Sequence, residues 1–257
     1  MKKLTALFII LALIITGCAS PKEKKKPLTK DQIIARMQKN IKAIDSISLS
    51  ASNKATISYD KFTTKFTQDT TSQFDTINKS ALLINADSNN TKYPVKSVIF
   101  NMDEGNIEAY PNPQYLNYRA RKADIQYFST VQSNIVNLTD IVQNVIKKEV
   151  ETIEVTDNVI HYEGNSKYLK YLFDYGIDFS SMNQIAAFND LTDINIQSGS
   201  FDVELSSEKK LPKTLNFDLK VNAKIKDKPV TIIMNQETTY KDFNKTNVSF
   251  YEEDEIK

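Results

Sequence analysis

The chain changes period several times along its length. Ile33, Ile34, Met37, Ile41 and Ile44 follow one another at helical spacing and make a single apolar stripe. Thr29-Lys30-Asp31-Gln32 stands in front of them as a capping box, a hydroxyl followed three residues later by a Gln. The spacing predicts a helix to about Ile44. Period two then takes over. Ile57 and Tyr59, then Phe62, Phe66 and Phe74, then Leu82 and Ile84 predict three strands with Ser, Thr and Lys on their other face. Further short strands are expected over 93–128, around a turn at Asp103-Glu104-Gly105-Asn106. Pro111-Asn112-Pro113 ends the pairing there.

A second capping box, Ser129 to Gln132, precedes Ile135, Leu138, Ile141, Val142, Val145 and Ile146, the clearest helical run in the chain. Alternation at 150–155 and 159–162 around Asp157-Asn158 predicts a hairpin. Leu169, Leu172 and Phe173 predict a short third helix over 165–175, stopped by Gly176. The last third is the most regular. Phe201, Val203 and Leu205 alternate, and Leu215, Phe217, Leu219, Val221, Ala223 and Ile225 alternate without a break. Val230, Ile232 and Met234 follow after an expected turn at Asp227-Lys228-Pro229. Strands apolar on one face only need a helical layer over that face. The expected fold class is therefore α+β, a large curved antiparallel sheet wrapped on about three helices, in one domain over 29–257.

Composition narrows the chemistry. The chain has 257 residues, 33 Lys+Arg against 32 Asp+Glu, one His, one Cys and five Gly. A balanced charge gives no basic field for nucleic acid. One Cys excludes an internal disulfide and a thiolate metal cluster, and the scattered glycines write no phosphate-binding loop. No cofactor and no metal are expected, and no catalytic residue is assigned. His161 alternates onto the wet face, without a nucleophile beside it. Asp103, Glu104 and the acidic tail 252–255 lack the spacing of a calcium loop. Arg119, Arg121 and Lys122 fit either an exposed strand face or a headgroup contact. The tyrosines 110, 115, 118, 162, 168, 171 and 175 fit either core packing or the rim of a cavity.

The first residues give an address. Met1-Lys2-Lys3 is cationic, and 4–16 is uncharged and apolar, about 20 Å as a helix against a hydrocarbon core of about 30 Å. That suits a secretory signal better than a spanning helix. The run closes on Ile15-Thr16-Gly17-Cys18, which resembles the lipobox of bacterial lipoproteins. The resemblance implies a signal peptide at 1–17, cleavage between Gly17 and Cys18, and a diacylglyceryl group on Cys18. A lipidated Cys and Lys-rich tether then occupy 18–28. Lys22, Lys24, Lys25 and Lys26 would add electrostatic attraction to anionic headgroups or serve as a solvated spacer.

Lipobox, tether, an amphipathic helix running into Ile44-Asp45-Ser46-Ile47-Ser48, long Ser/Thr-rich strands and the closing meander 201–247 together resemble lipoproteins of Gram-positive bacteria with the LolA/LppX-like fold. That resemblance implies an incomplete antiparallel barrel around helices, enclosing a hydrophobic cavity. It implies non-catalytic binding or carriage of a lipid or other amphiphile, by a protein held on the extracytoplasmic face of the cell membrane. Ile135, Leu138, Ile141 and Val142 would line the cavity from the helix side, and Phe217, Leu219, Val221, Ile232 and Met234 from the sheet side. The chain departs from the soluble Gram-negative carrier in carrying its own lipid anchor, and it has no Trp. The alternative is an envelope or surface interaction module with a filled core that binds a protein partner.

Overall fold

A computed structural model of the chain describes residues 27–75, 81–88, 97–101, 108–111, 142–156, 158–176 and 191–247. The first described element is helix α1 (Lys30–Ile41), and its capping box forms as expected. Thr29 Oγ1 accepts from the Gln32 backbone N–H at 3.3 Å, and Gln32 Oε1 accepts from the Thr29 N–H at 3.0 Å. Two of the N–H groups that a helix start leaves unpaired are thereby satisfied. Ile33, Ile34, Met37 and Ile41 form the buried stripe.

The helix ends at Ile41, one turn before the expected Ile44, because a distant segment captures the chain. Asn244 Oδ1 accepts from the Asp45 N–H at 2.7 Å, and its Nδ2 donates to the Ala43 carbonyl at 3.2 Å. The Thr246 N–H reaches Ser46 Oγ at 3.1 Å. Residues 242–246 thus clasp the joint between helix and first strand.

Among the described residues ten strands follow: β1 (Ser46–Tyr59), β2 (Phe62–Asp75), β3 (Ala81–Ser88), β4 (Ser97–Asn101), β5 (Glu108–Pro111), β6 (Glu154–Thr156), β7 (Val159–Gly164), β8 (Leu191–Leu205), β9 (Pro212–Ile225) and β10 (Lys228–Lys241). They form one antiparallel sheet in the order β5-β4-β3-β2-β1-β10-β9-β8-β7-β6. Each half is a run of neighbours in chain order. The halves join where β1 pairs with β10, from Ser48↔Lys241 to Tyr59↔Val230. β5 and β6 stand at opposite ends of the order, so the sheet is open.

Period-two alternation decides which side is dry. Along β9 every odd residue from Leu215 to Ile225 is buried, while 216, 218, 220, 222 and 224 are exposed. β10 continues the same face with Val230, Ile232, Met234, Thr238 and Tyr240. All of these residues but Ala223 and Thr238 belong, with the α1 stripe and parts of β1 and β8, to one hydrophobic cluster.

Two expectations need correction. The expected turn at Asp227-Lys228-Pro229 lies one residue earlier. Ile225 pairs with Lys228, so Lys226 and Asp227 form the two-residue turn, with φ 48° and 65°. Two successive positive φ values match the twist of the flanking strands. Pro229 already sits in β10, opposite Lys224 and just before pairing with β1 begins.

Among the described residues the helical layer is also thinner than expected. At its described end the run 135–146 is a five-residue π-helical turn, Val142–Ile146, not an α-helix. The expected third helix is a 3₁₀ turn, Lys167–Leu169, running into the seven-residue α2 (Lys170–Gly176). The described residues are mostly sheet.

The hairpin around Asp157-Asn158 forms, with Thr156 opposite Val159. β4 and β5 pair with one another, and the expected turn at 103–106 between them lies outside the described residues. Cys18, Gly17, the tether lysines, the capping box at 129–132, Asp103 and Glu104, Arg119, Arg121 and Lys122, and the tail 252–255 lie outside the described residues.

Candidate functional site

The sheet offers two faces, with different chemistry. On the inner face, Phe217, Leu219, Val221, Ile232 and Met234 come together as expected. Val221–Ile232 and Leu219–Met234 are directly paired across β9 and β10, with Phe217 opposite Gln236. All five are at most 3% exposed and pack into the one cluster. Val142 begins the π-helical turn, whose Val145 and Ile146 are fully buried in that cluster. Ile135, Leu138 and Ile141 lie outside the described residues.

Small residues bring the helical layer close to the sheet. Gly164 pairs with Gly199, and Gly199 with Leu219. A Cβ built on Gly199 would meet Leu219 Cδ2 at 2.5 Å and Leu169 Cδ1 at 2.9 Å. Leu169, in the 3₁₀ turn, is therefore seated in a slot that only a glycine leaves open. Tyr162 belongs to the packing. Its ring stacks on Phe201 with centroids 5.4 Å apart, and its hydroxyl oxygen accepts from the Ser166 N–H at 3.1 Å. For Tyr162, core packing replaces the reading as a cavity rim.

Three polar side chains interrupt the inner face where β1 meets β10. Asn53 is 5% exposed and stands directly opposite Gln236 in the ladder. Thr238, also buried, is the next inner position of β10. Gln236 Nε2 donates to Thr238 Oγ1 at 2.7 Å. The side-chain oxygens Asn53 Oδ1 and Gln236 Oε1 are buried without a hydrogen-bond partner. The sequence reading passed over both residues. The signal was there: Asn53 interrupts Ile47, Leu49, Ala51, Ala55 and Ile57, and Gln236 interrupts Val230, Ile232, Met234 and Tyr240. A polar residue at a dry position of an alternating strand is more informative than an apolar one.

Burial also holds the Tyr240 phenol well above its ordinary range. No Asp, Glu, Lys, Arg or His occupies an inner position of β1 from 47 to 59, of β9 from 215 to 225, or of β10 from 230 to 240.

The outer face is wet and charged. His161 lies on it as expected, its Nδ1 2.7 Å from Asp202 Oδ1, and both side chains are substantially exposed. Lys213 pairs with Glu204 at 2.6 Å. Lys224 pairs with Asp193 at 2.7 Å, and that hydrogen bond raises the lysine pKa. A shallow hollow of about 240 Å³ lies where Glu163, Ser200, Asp218 and Asn235 make one row across four strands, with Ser198, Lys220 and Ile233 beside it. Ile233 is 47% exposed there. Among the described residues no group of three His, Cys, Asp or Glu side chains could hold a metal ion. Nor is any described helix long and apolar enough to cross a membrane.

No protein-family model matches the sequence, and no curated protein matches it. Solved structures similar in shape include LprF from Mycobacterium bovis, at TM-score 0.36 and 8% identity over 87% of this chain and 96% of that one. Another is a structure of lipid–protein interactions in lipovitellin, at TM-score 0.35 and 10% identity, covering 80% of this chain. The chain spans only 26% of the lipovitellin chain. A LolA superfamily protein from Nitrosomonas europaea matches at TM-score 0.20 and 8% identity, over 90% of this chain and 98% of that one.

Proposed function

We propose that the protein is an extracytoplasmic lipoprotein, anchored to the cell membrane through a lipidated Cys18. It binds or carries a lipid or other amphiphile between the inner face of its sheet and the helical layer, without catalysis. The observation that supports this most is the asymmetry of the sheet. A broad apolar face over β8, β9 and β10 gives way to a polar strip at the β1–β10 junction, the profile of a molecule with an apolar chain and a polar head. Phe217, Leu219, Val221, Ile232 and Met234 form one wall for the chain. Ile135, Leu138, Ile141 and Val142 are the residues we propose for the other. Since the sheet residues are already buried, a ligand enters by parting the helical layer from the sheet and replacing its contacts.

A second reading follows from that same packing. A filled core, with an exposed Ile233 beside an outer hollow, suits a module that binds a protein partner through its outer face. Purification of the full chain in a mild detergent, organic extraction and mass spectrometry against a mock preparation separates the two. A stoichiometric lipid, lost in Leu219→Glu and kept in Ile233→Glu, supports the carrier. An empty protein that takes up no added lipid, with a surface partner captured by the wild type and lost in Ile233→Glu, supports the interaction module.

A further inference from the structure

Among the described residues, the buried side-chain oxygens and nitrogens that lack a partner are two, and they are neighbours. Asn53 Oδ1 and Gln236 Oε1 belong to residues directly opposite one another at the junction of the two sheet halves. Side chains paired in this way lie side by side on one face. The amide nitrogen of Gln236 is already engaged, donating to Thr238 Oγ1 at 2.7 Å. What remains at the site is two amide oxygens that accept no hydrogen bond.

Such a group, buried and unpaired, carries its whole desolvation penalty, and two in adjacent positions carry it twice. Replacing the pair by apolar side chains of similar shape would remove the penalty outright. The arrangement makes sense where a donor arrives from outside the chain.

The surroundings say which donor. The inner positions of β1, β9 and β10 carry no ionisable side chain other than tyrosine. On these described positions an ammonium, phosphate or carboxylate headgroup would meet no countercharge, which is strongly unfavourable in an apolar interior. Neutral hydroxyls need none, and each donates one hydrogen bond, so that two of them supply the donors the two oxygens lack. Met234 and Ala55 lie next to the pair on its two strands, and Phe217 lies opposite Gln236 on β9, so an apolar chain would run from there over β9. We infer that Asn53 and Gln236 form a headgroup subsite that selects an uncharged, hydroxyl-bearing amphiphile over charged amphiphiles and over donor-free esters.

The inference rests on the amphiphile-binding reading and adds the selectivity. Its test uses the full chain in mild detergent, mixed with phosphatidylcholine vesicles holding equal amounts of three oleoyl probes. Monoolein offers hydroxyl donors, methyl oleate offers none, and oleate is charged. Probe retained by the re-isolated protein is counted by mass spectrometry. The wild type should retain monoolein over methyl oleate by roughly tenfold, the discrimination expected from one buried acceptor left unpaired, with oleate retained least. The double variant Asn53→Leu/Gln236→Leu should bring the monoolein-to-methyl-oleate ratio close to one while still retaining both.

Equal retention of the three probes by the wild type overturns the subsite and leaves the binding function standing, with buried water as the donor. So does an unchanged preference in the double variant. Retention of no probe by either protein overturns the subsite together with the binding function. Should the double variant fail to fold by circular dichroism, the wild-type ratio alone decides.

Discussion

Gly199→Ala sets two small effects against each other, and the structure says which prevails. Gly199 has an ordinary strand backbone with no positive φ, so alanine meets no backbone strain. Fewer unfolded conformations should favour alanine by about 0.4–1 kcal/mol. Against this, the new methyl would stand 2.5 Å from Leu219 Cδ2, 2.9 Å from Leu169 Cδ1 and 3.1 Å from the Asp218 carbonyl oxygen. Carbon atoms rest at about 3.5–4.0 Å.

Neither leucine has room to yield. Leu169 is fully buried and Leu219 nearly so, and each packs on the same cluster. Overpacking of this kind costs about 1–3 kcal/mol. The clash should win, with a net loss of about 1–2 kcal/mol. Urea unfolding followed by far-ultraviolet circular dichroism measures it. In a Leu219→Val background, where the δ-methyls are gone, the same substitution should cost at least about 1 kcal/mol less. A Gly199→Ala protein as stable as the wild type, or a cost unchanged by Leu219→Val, would refute the account of the slot.

Three further predictions rest on other parts of the molecule. Tyr240 stays protonated in the folded state to higher pH than in the unfolded chain. Its contribution is therefore complete below about pH 10 and lost as pH rises above that, by about 1.4 kcal/mol per unit. Between pH 10 and 11 the wild type should lose stability faster than Tyr240→Phe in parallel urea titrations, and equal slopes would count against burial of the phenol. Thr29→Ala removes the acceptor for the Gln32 N–H and should cost about 1 kcal/mol by chemical denaturation, while Thr29→Ser should cost little. Cys18→Ala should shift the protein from the membrane fraction to the medium or leave it at precursor size. Mature-size protein still extracted only by detergent would end the lipidation proposal.

The sequence made the C-terminal meander legible because burial there is strictly one-sided. From 215 to 225 each residue's type states its face, and the same rule carries through β10 as far as Met234. The Thr29–Gln32 capping box was legible because it is a contact between near neighbours. The turn at Lys226-Asp227 was misplaced by one residue, since neither residue is a glycine or asparagine that announces positive φ. The helix end at Ile41 and the clasp through Asn244 and Thr246 depend on contacts about two hundred positions apart, which no periodicity encodes. At the candidate site, the five sheet-wall residues could be read from alternation, but their mutual packing could not. Asn53 and Gln236 needed the β1–β10 register before they became a pair.

That register also governs how the molecule comes into being. β1 is made early and β10 late, yet the two are neighbours in the middle of the sheet. Until β10 arrives, the half from β1 to β5 has a long unsatisfied edge, rich in Ser and Thr and open to any other strand. The half from β6 to β9 has its own open edge at β9. Closing the β1–β10 ladder is a long-range event of high entropic cost, so assembly of the whole should be slow compared with assembly of either half. A truncation before Lys228 would leave both edges permanently exposed and turn a self-contained sheet into two templates for aggregation.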